Sequence, residues 1–318
     1  MTIRFFDYSS DYDYEQVVAL HNAVWPDELE NVTQWKHWDS KHDPKCKRQR
    51  YVLEIDSRPV AFGGYFQSPW SYDPAKFYVG VEVHPEYRRQ GFGASFFEHL
   101  LKELQPHTPS LLTSSTREDQ PESICFLEQR GFKKVMRFPH SDMDSGQFDA
   151  TLFSPIVEKV AASGIEIKTL SQLMVEDSDY KQKLYDLDWE ATQDEPSPQP
   201  LTEPGFENYD RYVFNNPDLL ADGWFVAVDK GHYAGLTQLW LDPAVSGRLR
   251  VGFTGVRRAY RRRGICTALK VKAIEYARIV HGGPILRTGN EENNPMYQIN
   301  LRLGFVPRPA WLDFEKRS

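Results

Sequence analysis

Apolar and polar residues alternate along this chain with two periods, and the two periods recur in the same order twice. Residues 3–6 alternate as a strand. Val17, Val18, Leu20, His21 and Val24 fall near helical spacing, which predicts a helix over 14–24 and a second over 31–40. Trp25-Pro26 ends the first of these. Three strand-like runs follow, at 51–55, 60–66 and 77–83, the first two joined by a turn at 56–59. An amphipathic helix over 93–104, a strand over 110–114 and a helix over 122–130 closed by Gly131 complete the set. The second set places a strand at 165–167, a helix at 180–192, strands at 225–228, 234–241 and 249–256, a helix at 266–280, a strand at 284–288 and a helix at 295–303. Asp229-Lys230-Gly231 is its hairpin turn. The Pro-rich, acidic stretch 194–210 reads as a long insertion. Each copy reads β-α-α-β-β-β-α-β-α-β. That order predicts an α/β (α+β) fold in which a mixed, twisted sheet is flanked by helices. The pattern weakens over 145–164, which divides the chain into a first domain at 1–150, a linker at 151–164 and a second domain at 165–318.

The duplication is also visible in residues. Tyr87-Arg88-Arg89-Gln90-Gly91-Phe92-Gly93 recurs as Tyr260-Arg261-Arg262-Arg263-Gly264-Ile265-Cys266, and Arg130-Gly131-Phe132 recurs as Leu303-Gly304-Phe305. Both pairs are separated by 173 residues, 91 to 264 and 131 to 304. A period of that length means two whole domains rather than a solenoid.

The 318 residues suit two domains, each able to bury a core. A composition 40% hydrophobic and 26% charged is that of a globular protein. The net charge of −7 lacks the basic footprint of a nucleic-acid binder and leaves local basic clusters that suit a small anion. Three cysteines, Cys46, Cys125 and Cys266, with no CxxC pair, argue against a disulfide framework or a structural metal site. The first ten residues have no apolar core of a signal peptide, and no apolar run is long enough to span a bilayer, so a cytoplasmic protein with no membrane partner is expected.

A glycine-rich turn between a strand and a helix is an anion site. Glycine admits positive φ and close backbone approach, and the helix aims its positive end at the same place. With these motifs the chain resembles the GNAT acetyltransferase superfamily, as a tandem protein with two GNAT domains. In that family Arg/Gln-x-x-Gly-x-Gly/Ala holds the pyrophosphate of acetyl-CoA. Arg88, Gly91 and Gly93 match it, as do Arg261 and Gly264, with Cys266 in the small-residue position. The resemblance implies cofactor contacts from Val83, Arg88, Arg89, Gln90, Gly91, Phe92 and Gly93 in the first copy. In the second it implies them from Val256, Arg261, Arg262, Arg263, Gly264, Ile265, Cys266 and Asn293. The family also places Asn eleven residues before the final Gly and Tyr four before it. Asn293 fits, Asn300 stands at the tyrosine position, and the first copy has Gln120 and Leu127 at the two places. The second copy resembles the catalytic half of mycothiol-synthase-like tandem members, which favours it for catalysis.

The family's chemistry implies pantetheine pairing along a splayed strand edge. A strand N–H polarises the thioester carbonyl, from around Phe253, Thr254 and Val256, and a base relieves the attacking ammonium of its proton. Candidate catalytic residues are therefore Asn293, Tyr297 and Thr254. Plain alternatives stand beside them: Asn293 could cap the helix at 294–295, Tyr297 could simply pack, and Glu82 and His84, candidate bases of the first copy, could be surface residues. The acids Asp186, Asp188, Glu190, Asp194 and Glu195 would favour a cationic amine acceptor if they line the cleft, or form a solvated helix face if they do not. The expectation is an acetyl-CoA-dependent N-acetyltransferase acting by direct transfer on a small-molecule or peptide amine. It would need no metal and no nucleic acid, and would be a monomer or homodimer. The alternative is a non-catalytic acyl-CoA-binding or regulatory protein.

Overall fold

The computed structural model of the chain describes residues 1–317. The first half runs β1 (Thr2–Phe5), α1 (Asp11–Val24), α2 (Val32–Ser40), β2 (Arg48–Ile55), β3 (Arg58–Phe66), β4 (Lys76–Val83), α3 (Phe92–Leu104), β5 (Leu111–Arg117), α4 (Pro121–Glu128), β6 (Lys133–Phe138) and β7 (His140–Asp144). The second continues with α5 (Ser154–Ala162), β8 (Glu166–Thr169), α6 (Leu170–Glu176), α7 (Tyr180–Thr192), α8 (Phe206–Tyr209), β9 (Phe225–Asp229), β10 (His232–Leu241), β11 (Arg248–Val256), α9 (Ile265–Val280), β12 (Ile285–Gly289), α10 (Pro295–Leu303), β13 (Val306–Pro307) and β14 (Trp311–Arg317). The predicted helices 180–192 and 295–303 are found at those residues. The other predicted elements lie within three residues of their expected limits.

Two seven-stranded mixed sheets result, in the orders β1-β2-β3-β4-β5-β14-β6 and β13-β7-β12-β11-β10-β9-β8. The 173-residue offset maps β6 onto β13 and β7 onto β14, so each sheet takes its sixth strand from the other copy of the repeat. The chain accordingly forms two compact units. One comprises 1–136, 199–202 and 312–318; the other comprises 137–198 and 203–311. This differs from the division expected from sequence. Residues 137–150 belong to the second unit, and the C-terminal strand belongs to the first. The expected linker at 151–164 contains α5, which carries Pro155 in its first turn and buries Val160 in the second unit's core.

These elements escaped the hydrophobic pattern for physical reasons. β6 and β7 are mostly polar and only half-buried. α6 is short, although its capping box is written in the sequence as Thr169-Leu170-Ser171-Gln172. In the first unit the core joins Phe77 and Val79 of β4 to Phe96, Phe97 and Leu100 of α3, with Leu312 and Phe314 of β14. The second unit has two cores. One lies under α9 and includes Met143 of β7; the other, around Trp224, packs Leu170 and Leu173 of α6 and Leu184 and Leu187 of α7.

Phe314 is fully buried in the first core, although it stands four residues from the C-terminus. Phe314→Ala should therefore destabilise the first unit by about 3–5 kcal/mol, measured by denaturant unfolding. An unchanged midpoint would contradict the placement of β14.

Candidate functional site

Both units build the same fork. In the first, β4 and β5 pair in parallel over Lys76↔Leu111, Phe77↔Leu112 and Tyr78↔Thr113, and then part. In the second, β11 and β12 pair over Arg248↔Ile285, Leu249↔Leu286 and Arg250↔Arg287, and then part. His84 N–H bonds back to Val60 O at 2.9 Å, so strand alternation turns the amides of Val81 and Val83 toward the open fork, the Val79 amide still closing the last Tyr78↔Thr113 pair. Arg257 N–H bonds to Ala234 O at 2.9 Å, and the amides of Thr254 and Val256 are turned in the same way.

The glycine loops that follow are copies at the level of single bonds. Arg88 Nε donates to Val83 O at 3.2 Å, and Arg261 Nε donates to Val256 O at 3.0 Å. Arg89 and Arg262 sit at φ 63° and 62°, and Gly91 and Gly264 at φ 84° and 86°, as left-handed caps of α3 and α9. Neither helix has a side-chain cap, so its first amides are left for an anion. Gln90, Phe92 and Gly93, and likewise Arg263, Ile265 and Cys266, lie where the loop turns into the helix. A Cβ placed on Gly93 would meet Val83 Cγ2 at 3.4 Å.

The surroundings of the two loops differ. Nothing lies within 4 Å of the position a Cβ would take on Gly91. On Gly264 that position is 2.9 Å from Ile156 Cγ2 and 3.6 Å from Val160 Cγ2, both on α5. Among the described residues Arg88 has no carboxylate partner. Arg261 and Arg258 both grip Asp194, with Arg258 Nε 2.9 Å from its Oδ2, and these bonds, that to Arg258 first, hold the Asp194 carboxyl down at about 2. Cys266 is half-buried against Met296, Sγ to Sδ 3.4 Å, and burial pushes its thiol up to about 11.

The strands before the loops also differ. Tyr78, Gly80 and Glu82 share one face of β4, the face that packs α1. Glu82 Oε2 lies 3.0 Å from His21 Nδ1 of α1, and both side chains are largely but not fully covered, at 24% and 16% exposure. Burial works to lower the His21 imidazole, but the hydrogen bond and charge of Glu82 outweigh it, and the pKa is raised. The offset places Gly255 opposite Glu82 and Phe253 opposite Gly80. The ring of Phe253 and the Ala191 methyl close over Gly255, leaving no carboxylate there. His84 accepts a bond from Glu86 N–H at 3.4 Å and so caps a local turn.

The residues expected to be catalytic in the second copy are not joined to one another by any hydrogen bond among the described residues. Thr254 Oγ1 is 2.8 Å from Thr237 Oγ1, so only its amide faces the fork. Asn293 is exposed, and both its amide and its Nδ2 donate to Glu291 at 2.8 Å. The cap of α10 is Asn294, and Tyr297 is half-buried in the first turn. Asn300, at the tyrosine position, is fully buried against Asn290. Four of the five acids at 186–195 have separate partners. Asp186 accepts from Gln182, Glu190 pairs with Arg257, and Asp188 accepts from Tyr209 and Thr192. Desolvation raises Asp188 to about 6, and desolvation with the charge of Asp188 raises Glu195 to about 7. The His21–Glu82 pair is only half legible in the sequence, since His21 falls on the apolar stripe of its helix.

The sequence profile of the acetyltransferase (GNAT) family matches residues 12–132 and again 181–305. The chain belongs to this family and is an acyltransferase of the GNAT N-acetyltransferase type; enzymes of the family in general use acetyl-CoA and act on amine acceptors. Its fold is similar to that of a tandem GNAT protein from the clavulanic acid biosynthesis pathway, at 18% identity over 99% of this chain and 98% of that one, TM-score 0.77. It is also similar to a GCN5-related N-acetyltransferase from Sphaerobacter thermophilus (18%, 99% and 95%, TM-score 0.68). A third similar structure is a GNAT-family acetyltransferase from Colwellia psychrerythraea (12%, 100% and 100%, TM-score 0.61). Comparison with curated protein sequences gives no match. No helix among the described residues is long and apolar enough to cross a membrane.

Asp188 supplies a test of the second unit's interior. Its folded pKa is raised above 3.8, so the stability it contributes is complete below 3.8 and is lost as pH rises through about 6. Asp188→Asn should flatten the fall in unfolding free energy across that window, measured by urea titrations at several pH values. An unchanged slope would show that the carboxyl is not desolvated.

Proposed function

We propose that the first unit carries the reaction: transfer of the acetyl group of acetyl-CoA to a primary amine of a small molecule or peptide, directly, in a ternary complex. The observation that carries this is the contrast between the two glycine loops. The space beside Gly91 is open and Arg88 has no carboxylate partner among the described residues, whereas Gly264 lies under Ile156 and Arg261 is paired with Asp194. Sequence alone favoured the second copy, and its glycine motif is intact. What differs is what the rest of that unit places on the motif.

In this account the amides opening α3, with Arg88 and Arg89, hold the pyrophosphate. The Val79 carbonyl and the Val83 amide lie along the open edge of β4 for the pantetheine arm. Val81 N–H faces the fork and is the donor for the thioester oxygen, where charge develops. The Glu82–His21 pair takes the proton of the attacking ammonium, directly or through one water. Glu82 also attracts a cationic amine. Phe62 stands in register with Glu82, and the Trp35 ring lies 5.7 Å from Phe62 and 5.6 Å from His21, offering aromatic surface beside that charge. This cationic preference rests on the first unit, because Glu82 and the rings of Phe62 and Trp35 belong to it, whereas Asp186, Asp188, Glu190 and Asp194 bond to residues of the second. The second unit is then a folded, non-catalytic copy.

Calorimetric titration should give one coenzyme A per chain. Gly91→Trp should abolish that binding, while Gly91→Ala, which carries the same left-handed strain of about 1–2 kcal/mol, should retain most of it. Glu82→Gln should lower kcat by on the order of 10²-fold or more with coenzyme A binding kept. Two sites per chain, or full binding by Gly91→Trp, would overturn the assignment.

A further inference from the structure

The departing thiolate of coenzyme A needs a proton, and the first copy has buried Leu127 where the family has its tyrosine. The fork holds another phenol. Tyr78 is the last residue of β4 paired with β5, and its ring lies forward over Gly80. A Cβ on Gly80 would stand 2.9 Å from Tyr78 Cε1 and 3.1 Å from its hydroxyl oxygen, so the ring can lie there only because residue 80 is glycine. The hydroxyl reaches Ser115 Oγ at 3.1 Å, two residues beyond Thr113, where β5 last pairs with β4. The phenol thus bridges the two strands just where they separate, on the face that carries Glu82.

Its electrostatic setting keeps it protonated. Burial raises the pKa, the Ser115 bond opposes it, and the charges of Glu82 and of Asp313 on β14 raise it further. The base and this hydroxyl therefore flank the same stretch of β4, Gly80 and Val81, from opposite ends. The second copy has no counterpart: the offset puts Val251 and Phe253 in place of Tyr78 and Gly80.

We propose that Tyr78, held by Ser115, is the proton donor to the leaving thiolate; this rests on the first unit being the reaction site. The ammonium gives one proton through the Glu82–His21 pair to solvent; the neutral amine nitrogen then forms its bond to the carbonyl carbon and gives its second proton to the same pair. The carbon–sulfur bond breaks, its electron pair stays on sulfur, and sulfur takes the Tyr78 hydroxyl proton. Ser115 returns a proton from solvent to the tyrosinate. The products are the amide, the free thiol and one proton released to solvent.

The test uses the full chain, acetyl-CoA and a panel of primary amines (spermidine, glucosamine, tyramine), followed by released thiol. Tyr78→Phe should lower kcat at least about 10-fold and leave the coenzyme A dissociation constant within about 2-fold. Ser115→Ala should give a smaller loss. Incorporating 3,5-difluorotyrosine at position 78 should move the alkaline limb of the rate profile down by more than about one pH unit. Its ¹⁹F resonance should shift when coenzyme A is added without any acceptor. Full kcat in Tyr78→Phe, with turnover abolished in Gly91→Trp, would overturn the proposal and leave the first-unit assignment standing. Full turnover in Gly91→Trp would remove both. If Tyr78→Phe does not fold, an unmoved limb and an unshifted resonance in the fluorinated chain overturn the proposal by themselves.

Discussion

Two parallel strands that pair for three residues and then part create the problem that the rest of the first unit answers. Beyond the Tyr78↔Thr113 pair the Val79 carbonyl and the amides of Val81 and Val83 face a gap instead of a neighbouring strand. Backbone donors and acceptors left unpaired in a folded interior are costly, and water or a ligand must meet them. The chain leaves β4 through a tight turn locked by Arg88 on Val83 O and enters α3 through a left-handed glycine. The fork and the helix N-terminus are thereby fixed a few residues apart. One end of an extended anionic ligand can pair with the strand while its phosphates meet the helix. The same backbone constraint places Glu82 and Tyr78 on one face of the strand, within reach of the gap.

The two copies show how little of this depends on the motif itself. Arg88 and Arg261, Gly91 and Gly264, and Val83 and Val256 superimpose bond for bond in their local hydrogen bonding. What separates them is supplied from elsewhere: Ile156 and Val160 of α5 beside Gly264, Asp194 on the arginines, and Phe253 over Gly255. An internal carboxylate occupies the cations that a phosphate would meet.

That division also explains what the sequence made legible. The 173-residue offset, the strand-to-helix glycine turns and the longer amphipathic helices could be read because each is a local signal: a period, a left-handed position, an apolar stripe. The exchange of β7 and β14 could not, because both strands are short and half polar, and strand partnership is a long-range choice that alternation does not encode. Nor could the covering of Gly264, since Ile156 stands 108 residues before it in sequence. Asn293 looked chemical because of its spacing from Gly304, yet its side chain is spent on Glu291. His21 looked like core because it falls on the apolar stripe of α1, yet it meets the carboxylate of Glu82.

Hydrogen–deuterium exchange of the whole chain with and without coenzyme A tests the central claim most directly, because it reports each fork separately. Residues 79–83 and 88–95 should gain protection on adding coenzyme A, while 251–256 and 261–268 remain unchanged. Protection confined to 251–256 and 261–268 would contradict the account and return the reaction to the second unit.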